Sequence, residues 1–105
     1  MEKLKILLCC GAGMSSGFLA SNARKYARKN HLNVQVQACS HSEAREYLGM
    51  VDVIMLGPHF SSQLDTFQKM AQPYGTKVVL IPQTVYGSLD GRELINLAAQ
   101  EADRN

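Results

Sequence analysis

Long hydrophobic runs are missing from this 105-residue sequence. The apolar stretch Ile6–Cys10 is shorter than the ~7–15 residues at the centre of a secretory signal. No stretch approaches the ~18 apolar residues that a membrane-spanning helix needs. The sequence therefore predicts a cytoplasmic location.

Neither positive nor negative charge is in large excess in this sequence. The formal net charge is only +2, and no run of Lys and Arg forms a basic patch. Four cations cluster between Arg24 and Lys29, but they lie at the end of a predicted helix, where positive charge complements the helix dipole. These features argue against nucleic acid as a partner.

Cysteine and histidine are also scarce. The chain has three cysteines, and Cys9 and Cys10 are adjacent rather than spaced as a redox or zinc pair. His31 and His41 have no carboxylate or cysteine partners at metal-binding spacing. We therefore expect reduced thiols, no metal and no cofactor, with a structural role for Cys39 at the end of a strand.

What the sequence does contain is a regular alternation of strand-like and helix-like segments. Its length fits one domain, residues 1–105. The alternation predicts an α/β fold: a four-stranded parallel sheet of order 2-1-3-4 with helices on both faces. The predicted strands are Lys5–Cys10, Val34–Cys39, Val51–Leu56 and Lys77–Ile81. The predicted helices are Ser16–Lys29, a short one capped by Ser40, one carrying Phe60, Leu64, Phe67 and Met70, and one capped by Asp90, with a loop at Gln83–Leu89.

Two of the predicted strands end in unusual loops. In open parallel sheets, ligands bind beyond the carboxyl ends of the strands, where the strand order switches. Here the switch falls between the first and third strands, which end at Cys10 and at Gly57-Pro58-His59. The glycine-rich residues 11–16 then lead into the first helix. This arrangement predicts an anion site at Cys10.

Several glycine-loop chemistries are excluded by missing residues. A nucleoside-triphosphate loop needs a Lys, and the loop ends Met14-Ser15-Ser16. A dinucleotide fingerprint needs a third Gly or Ala at position 16 and an acid closing the second strand, but the chain has Ser16 and Ser40. A receiver domain needs an Asp at the end of the third strand, where Leu56-Gly57 stands.

A cysteine phosphatase loop is the closest competitor. It places a cysteine after the first strand, five loop residues whose amides surround a phosphoryl group, and then an Arg. The sixth residue after Cys10 is Ser16, so the cation that neutralises the phosphoryl oxygens during hydrolysis is absent. The fold resembles the low-molecular-weight tyrosine phosphatase topology, but the loop is suited to holding phosphate rather than to hydrolysing it.

Four motifs together resemble the enzyme IIB component of the lactose/cellobiose family of the bacterial sugar phosphotransferase system. They are Cys10–Ser16, Leu56–Pro58, Tyr86–Gly87 and Asp90–Gly91. The resemblance implies a phosphocarrier whose cysteine, Cys10, accepts a phosphoryl group from a histidine of enzyme IIA. It further implies transfer to a sugar, such as cellobiose, bound by the membrane permease, enzyme IIC, with which the chain associates transiently. Two residues depart from the family pattern. Cys9 stands where a residue need only fill the end of a strand, and His59 stands where relatives often carry Gln.

The resemblance and the loop together define the predicted site residues. Cys10 reacts as the thiolate, and we expect the loop amides and the helix N-terminus to lower its pKa. Ser15 and Ser16 either donate hydroxyl hydrogen bonds to phosphate or cap the helix. His59 either donates to the phosphoryl group or faces solvent, and Tyr86 flanks the site. The predicted phosphate-binding residues are Gly11, Ala12, Gly13, Met14, Ser15 and Ser16.

Two other functions stay open from the sequence. One is a low-molecular-weight cysteine phosphatase or arsenate-reductase-like enzyme, which the absence of the Arg disfavours. The other is a regulatory module that uses the same loop to sense an anion.

Overall fold

The computed structural model describes residues 3–9 and 14–103, and the elements alternate between strand and helix. The strands are β1 (Leu4–Cys9), β2 (Val34–Cys39), β3 (Val53–Leu56) and β4 (Lys77–Leu80). The α-helices are α1 (Met14–Lys29), α2 (Leu64–Ala71), α3 (Gln83–Ser88) and α4 (Gly91–Ala102). Shorter 3₁₀ helices span His41–Tyr47, Pro58–Gln63 and Gln72–Tyr74.

The sheet confirms the predicted topology. All pairs are parallel and the strand order is β2-β1-β3-β4, so β1 and β3 lie in the middle. Ile6 pairs with Val36 on one side and with Val53 on the other. The strand order therefore switches between β1 and β3, as the sequence predicts.

Each face of the sheet carries its own hydrophobic core. Successive strand residues point to opposite faces, so Ile6 and Leu8 pack under α1 and α4 while Leu7 and Cys9 pack under α2. The predicted apolar stripe belongs to the second core, where Phe60 and Phe67 are buried and Leu64 and Met70 are partly buried. Helices on both faces are thus confirmed.

Both predicted capping residues are found at helix starts. The backbone N–H of Ser40 donates to Glu43 Oε1 at 3.4 Å, the reciprocal half of a capping box. The carboxylate of Asp90 accepts the backbone N–H of Glu93 at 3.1 Å. The short helix after Ser40 is of the 3₁₀ type and spans His41–Tyr47.

The prediction of a loop over Gln83–Leu89 is wrong, because Gln83–Ser88 forms the short helix α3. Its β-branched residues and glycine disfavour a helix in isolation. Tertiary contacts compensate: Val85 is buried in the α1 and α4 core and Tyr86 packs against it. Leu89 then ends the helix in the left-handed region, with φ of 55°.

α4 packs unusually close to α1 at its first residue, Gly91, which is buried. A Cβ atom at this position would lie 2.5 Å from the carbonyl carbon of Asn22 and 2.7 Å from the Cα of Ala23. The Asn22 side-chain amide also donates to the carbonyl of Leu89 at 2.9 Å. Contacts at this junction hold α1 against α4 and the residues just before it. Within the described residues, no helix is both long and apolar enough to span a membrane.

Candidate functional site

The site lies at the carboxyl ends of β1 and β3. The backbone N–H of Gly57, which follows β3, donates to the carbonyl of Cys9 at 2.9 Å. The N–H of Ile81 donates in the same way to the carbonyl of Leu56 at 2.8 Å. These hydrogen bonds continue the ladder past the strands and bring the carboxyl ends of β1, β3 and β4 to one edge.

The connection between β1 and α1 is where the sequence predicts the phosphoryl group. Four of its predicted residues, Cys10, Gly11, Ala12 and Gly13, lie outside the described residues. The other three, Met14, Ser15 and Ser16, form the first turn of α1. Because the helix begins at Met14, both serines lie within it, and the prediction that one of them is the N-cap is wrong.

α1 is packed against the rest of the fold from Leu19 to Ala27. Its residues Leu19, Ala20 and Ala23 are completely buried in the core that α1 shares with the sheet, and Ala27 is nearly so. Phe18, in contrast, is 59% exposed about one turn from the helix start. The N-terminus of a helix carries a partial positive charge and backbone N–H groups without helical partners. The buried residues from Leu19 to Ala27 thus hold the body of α1 against the sheet, and the helix end that follows β1 in the chain is the one that attracts anions.

The two predicted flanking residues are brought together. His59, in the 3₁₀ helix after β3, is exposed, and Tyr86, on α3, is half-buried. Their ring centroids lie 5.9 Å apart in an edge-to-face arrangement. The His59 ring also lies 4.5 Å from the buried ring of Phe60. An imidazole held between two rings has a defined position at the carboxyl edge of the sheet.

The cysteine next to Cys10 in the sequence, Cys9, is not accessible to a reaction partner. Its side chain is completely buried in the core under α2, and its Sγ atom lies 3.6 Å from the Sγ of Cys39. The sequence predicts only a structural role for Cys39 and does not reveal this proximity. A signal was available, since both cysteines end strands that are neighbours in the 2-1-3-4 order, but the register that pairs them comes from the structure.

Among residues 3–9 and 14–103, no three His, Cys, Asp or Glu side chains are grouped to hold a metal ion.

The same fold occurs in solved structures. The lactose-specific IIB component domain of the phosphoenolpyruvate:carbohydrate phosphotransferase system from Streptococcus pneumoniae superposes with a TM-score of 0.85 at 20% identity, covering 95% of this chain and 98% of that one. The cellobiose-specific phosphotransferase IIB component from Borrelia burgdorferi gives a TM-score of 0.78 at 28% identity, covering 97% and 94%. A YwlE mutant from Bacillus subtilis gives 0.57 at 16% identity, covering 96% and 97%.

Curated sequences agree with the structural likeness. The oligo-beta-mannoside-specific EIIB component of Bacillus subtilis is 32% identical over 89 residues, 85% of this chain and 86% of the relative. The cellobiose-specific EIIB component of Lactococcus lactis is 29% identical over 98 residues, 89% and 91% of the two chains. The lactose-specific EIICB component of Lactococcus lactis is 27% identical over 104 residues, 97% of this chain but 18% of the relative.

The sequence and structural matches thus define an enzyme IIB-type protein. The profile of the PTS system lactose/cellobiose-specific IIB subunit matches residues 5–97. The chain belongs to this family. It is a phosphocarrier of the sugar phosphotransferase system and acts as a phosphotransferase.

Proposed function

We propose that Cys10 is the phosphoryl carrier, and that residues 11–16 hold the group while it is attached. The observation that supports this most directly is the frame around the cysteine. β1 ends at Cys9, hydrogen-bonded to the β3 loop, and α1 begins at Met14. Cys10 therefore directly follows, in the chain, a strand that ends at the switch point of the sheet.

The proposed chemistry is two successive displacements at phosphorus. The Cys10 thiol loses its proton, and the thiolate Sγ attacks the phosphorus of a phosphohistidine on enzyme IIA. The N–P bond breaks as the S–P bond forms. A sugar hydroxyl oxygen then attacks the same phosphorus, the S–P bond breaks, the hydroxyl proton leaves, and the thiolate is regenerated. The loop amides and the N-terminus of α1 lower the pKa of Cys10 because they stabilise the negative thiolate.

His59 and Tyr86 serve as flanking groups in this proposal. Their rings, 5.9 Å apart, lie at the end of the two strands that follow β1 in the sheet order. The His59 imidazole, exposed and steadied by Phe60, is available to donate a hydrogen bond to a phosphoryl oxygen. Tyr86 limits the positions that this imidazole adopts.

The lack of an Arg at position 16 suits a carrier. Hydrolysis alone would waste the phosphoryl group, and a carrier needs its two partners to complete the reaction in turn. We expect the substitution Ser16→Arg to shorten the lifetime of phospho-Cys10, because a guanidinium neutralises the phosphoryl oxygens in the transition state. Removing one electrostatic donor typically changes a rate by ~100-fold or more, so a tenfold shorter lifetime is a modest expectation for adding one.

The measurement for Ser16→Arg is the rate of inorganic phosphate release from the isolated phosphoprotein. Ser16→Lys is the matched control, because it supplies the charge without the planar guanidinium. An Arg variant that hydrolyses no faster than the parent chain would show that the missing guanidinium is not what preserves the phosphocysteine.

The partners we propose are enzyme IIA as donor and the membrane permease enzyme IIC as acceptor site, with the chain itself cytoplasmic. One relative, the lactose-specific EIICB component, supports the second partner. Its name combines IIC with IIB, and this chain matches only 18% of its length. The exposed ring of Phe18, about one turn from the start of α1, offers an apolar contact for either partner.

The sugar, in our proposal, is selected by the permease. Relatives that match this chain are named for oligo-beta-mannoside, lactose, galactose and cellobiose, although the parts that match are all similar to this one chain. Cellobiose is the first substrate to test, because a cellobiose-specific relative and a solved cellobiose-specific IIB structure both match most of this chain, 89% and 97% of it.

Reconstitution tests the proposal as a whole. The chain is incubated with the general phosphotransferase components, enzyme IIA and radiolabelled phosphoenolpyruvate. We expect label on Cys10 that is stable on the isolated chain. The label should pass to cellobiose only when membranes containing a IIC permease are added.

Two other results would overturn it. Label that leaves the isolated chain as inorganic phosphate, without IIC, would indicate a phosphatase. No labelling, with a known IIB component phosphorylated in parallel as the control, would indicate an anion sensor.

A further inference from the structure

We propose that Cys9 and Cys39 are a reversible redox pair that forms an intramolecular disulfide under peroxide, leaving Cys10 as the thiol of the transfer site. The two Sγ atoms are 3.6 Å apart, and both cysteines are present as thiols. This modification site is independent of the role proposed for Cys10.

The backbone geometry permits the bond. Cys9 and Cys39 are direct partners in the parallel ladder between β1 and β2. Neighbouring strands are about 4.8 Å apart, which falls within the ~4.4–6.8 Å range of Cα separations seen in disulfides. Because they are register partners, both side chains lie on the same face of the sheet. Rotation of the two side chains is then enough to bring the sulfurs from contact to the ~2.05 Å of a bond.

The different exposure of the two thiols sets the order of events. Cys9 is completely buried, whereas Cys39, on the edge strand β2, is partly exposed. A hydroperoxide in solution therefore meets Cys39 first. The step Cys39–SH + ROOH gives Cys39–SOH and ROH. Cys9 then attacks the sulfenic sulfur, the S–O bond breaks, and the products are the disulfide and water.

The position of the pair explains why the condensation is favoured over further oxidation. Cys9 is already within van der Waals contact of the sulfur that it attacks. A small dithiol reductant reverses the reaction by exchange at the exposed Cys39 sulfur.

The test uses the full-length Cys10→Ser variant, which leaves Cys9 and Cys39 as its two cysteines. The folded protein is treated with hydrogen peroxide, and the remaining thiols are alkylated. We expect complete loss of both alkylatable thiols. After trypsin, a linked species should join residues 6–24 to residues 30–45, and dithiothreitol should separate it.

A second variant keeps the inference testable through its intermediate. In Cys10→Ser/Cys9→Ala, Cys39 has no resolving thiol, so dimedone should trap its sulfenic acid, at least tenfold more than in Cys10→Ser. Peroxide-treated Cys10→Ser in which Cys39 is trapped by dimedone to the same extent would overturn the proposal. A disulfide that links two chains instead of one would also overturn it. Neither result bears on phosphorylation of Cys10, so failure here is distinguishable from failure of the proposed function.

Discussion

Replacing Cys10 by serine is expected to abolish phosphorylation of the chain by phosphorylated enzyme IIA. The hydroxyl of serine is a far weaker acid than a thiol, so almost none of it is ionised near neutral pH and the attacking group is lost. The rate of label incorporation should fall by more than ~1,000-fold, the scale on which removal of an enzyme nucleophile acts. The measurement is radiolabel transferred from phosphoenolpyruvate, followed by separation of the protein.

The matched control is Cys39→Ser. Cys39 is partly exposed at the end of the edge strand, so this change should leave both the fold and the labelling intact. Circular dichroism of both variants separates a chemical effect from unfolding. A folded Cys10→Ser variant that still takes up label would assign the carrier role to another residue.

The second large effect is expected from Gly91→Ala. The new Cβ would lie 2.5 Å from the Asn22 carbonyl carbon and 2.7 Å from the Ala23 Cα, and these are backbone atoms of a helix that cannot turn away. Overpacking of this kind costs about 3 kcal/mol. For a domain of this size that cost lowers the melting temperature by roughly 12–24 °C. Thermal unfolding followed by circular dichroism measures it.

Gly87→Ala is the control for this prediction. Gly87 is exposed on α3, and a Cβ added there meets nothing within 4 Å. Alanine should therefore be neutral, or stabilising by up to ~1 kcal/mol, because it restricts the unfolded chain. Equal melting temperatures for the two variants would show that α1 and α4 separate readily, contrary to their close approach at Gly91.

The two glycines also show what a motif does and does not reveal. Both belong to motifs that carry the family resemblance, and nothing in the sequence distinguishes the role of one from that of the other. Only the packing distinguishes them, because Gly91 lies against the backbone of α1 whereas Gly87 faces open space. In the same way, a poor helix-forming segment at Gln83–Ser88 becomes helical because the buried Val85 and the half-buried Tyr86 stabilise it from outside the segment.

Local patterns were sufficient where the chain's own neighbours decide the structure. Hydrophobic alternation, breakers and caps determined the four parallel strands, their order and the capping roles of Ser40 and Asp90. The cysteine after the first strand, with no Arg at position 16, is also the basis on which a phosphoryl-holding site is proposed. These features depend on short-range spacing and on the handedness of crossovers, which every α/β chain shares.

Tertiary structure alone decided the contacts between distant segments. The register of β1 against β2 brings Cys9 to Cys39, and the packing of α3 brings Tyr86 to His59. A shift of one residue in either element would separate these side chains, so no local pattern contains the information. The sequence therefore identified the cysteine proposed to react, and the fold determined which groups surround its strand and which two thiols lie next to each other in the sheet.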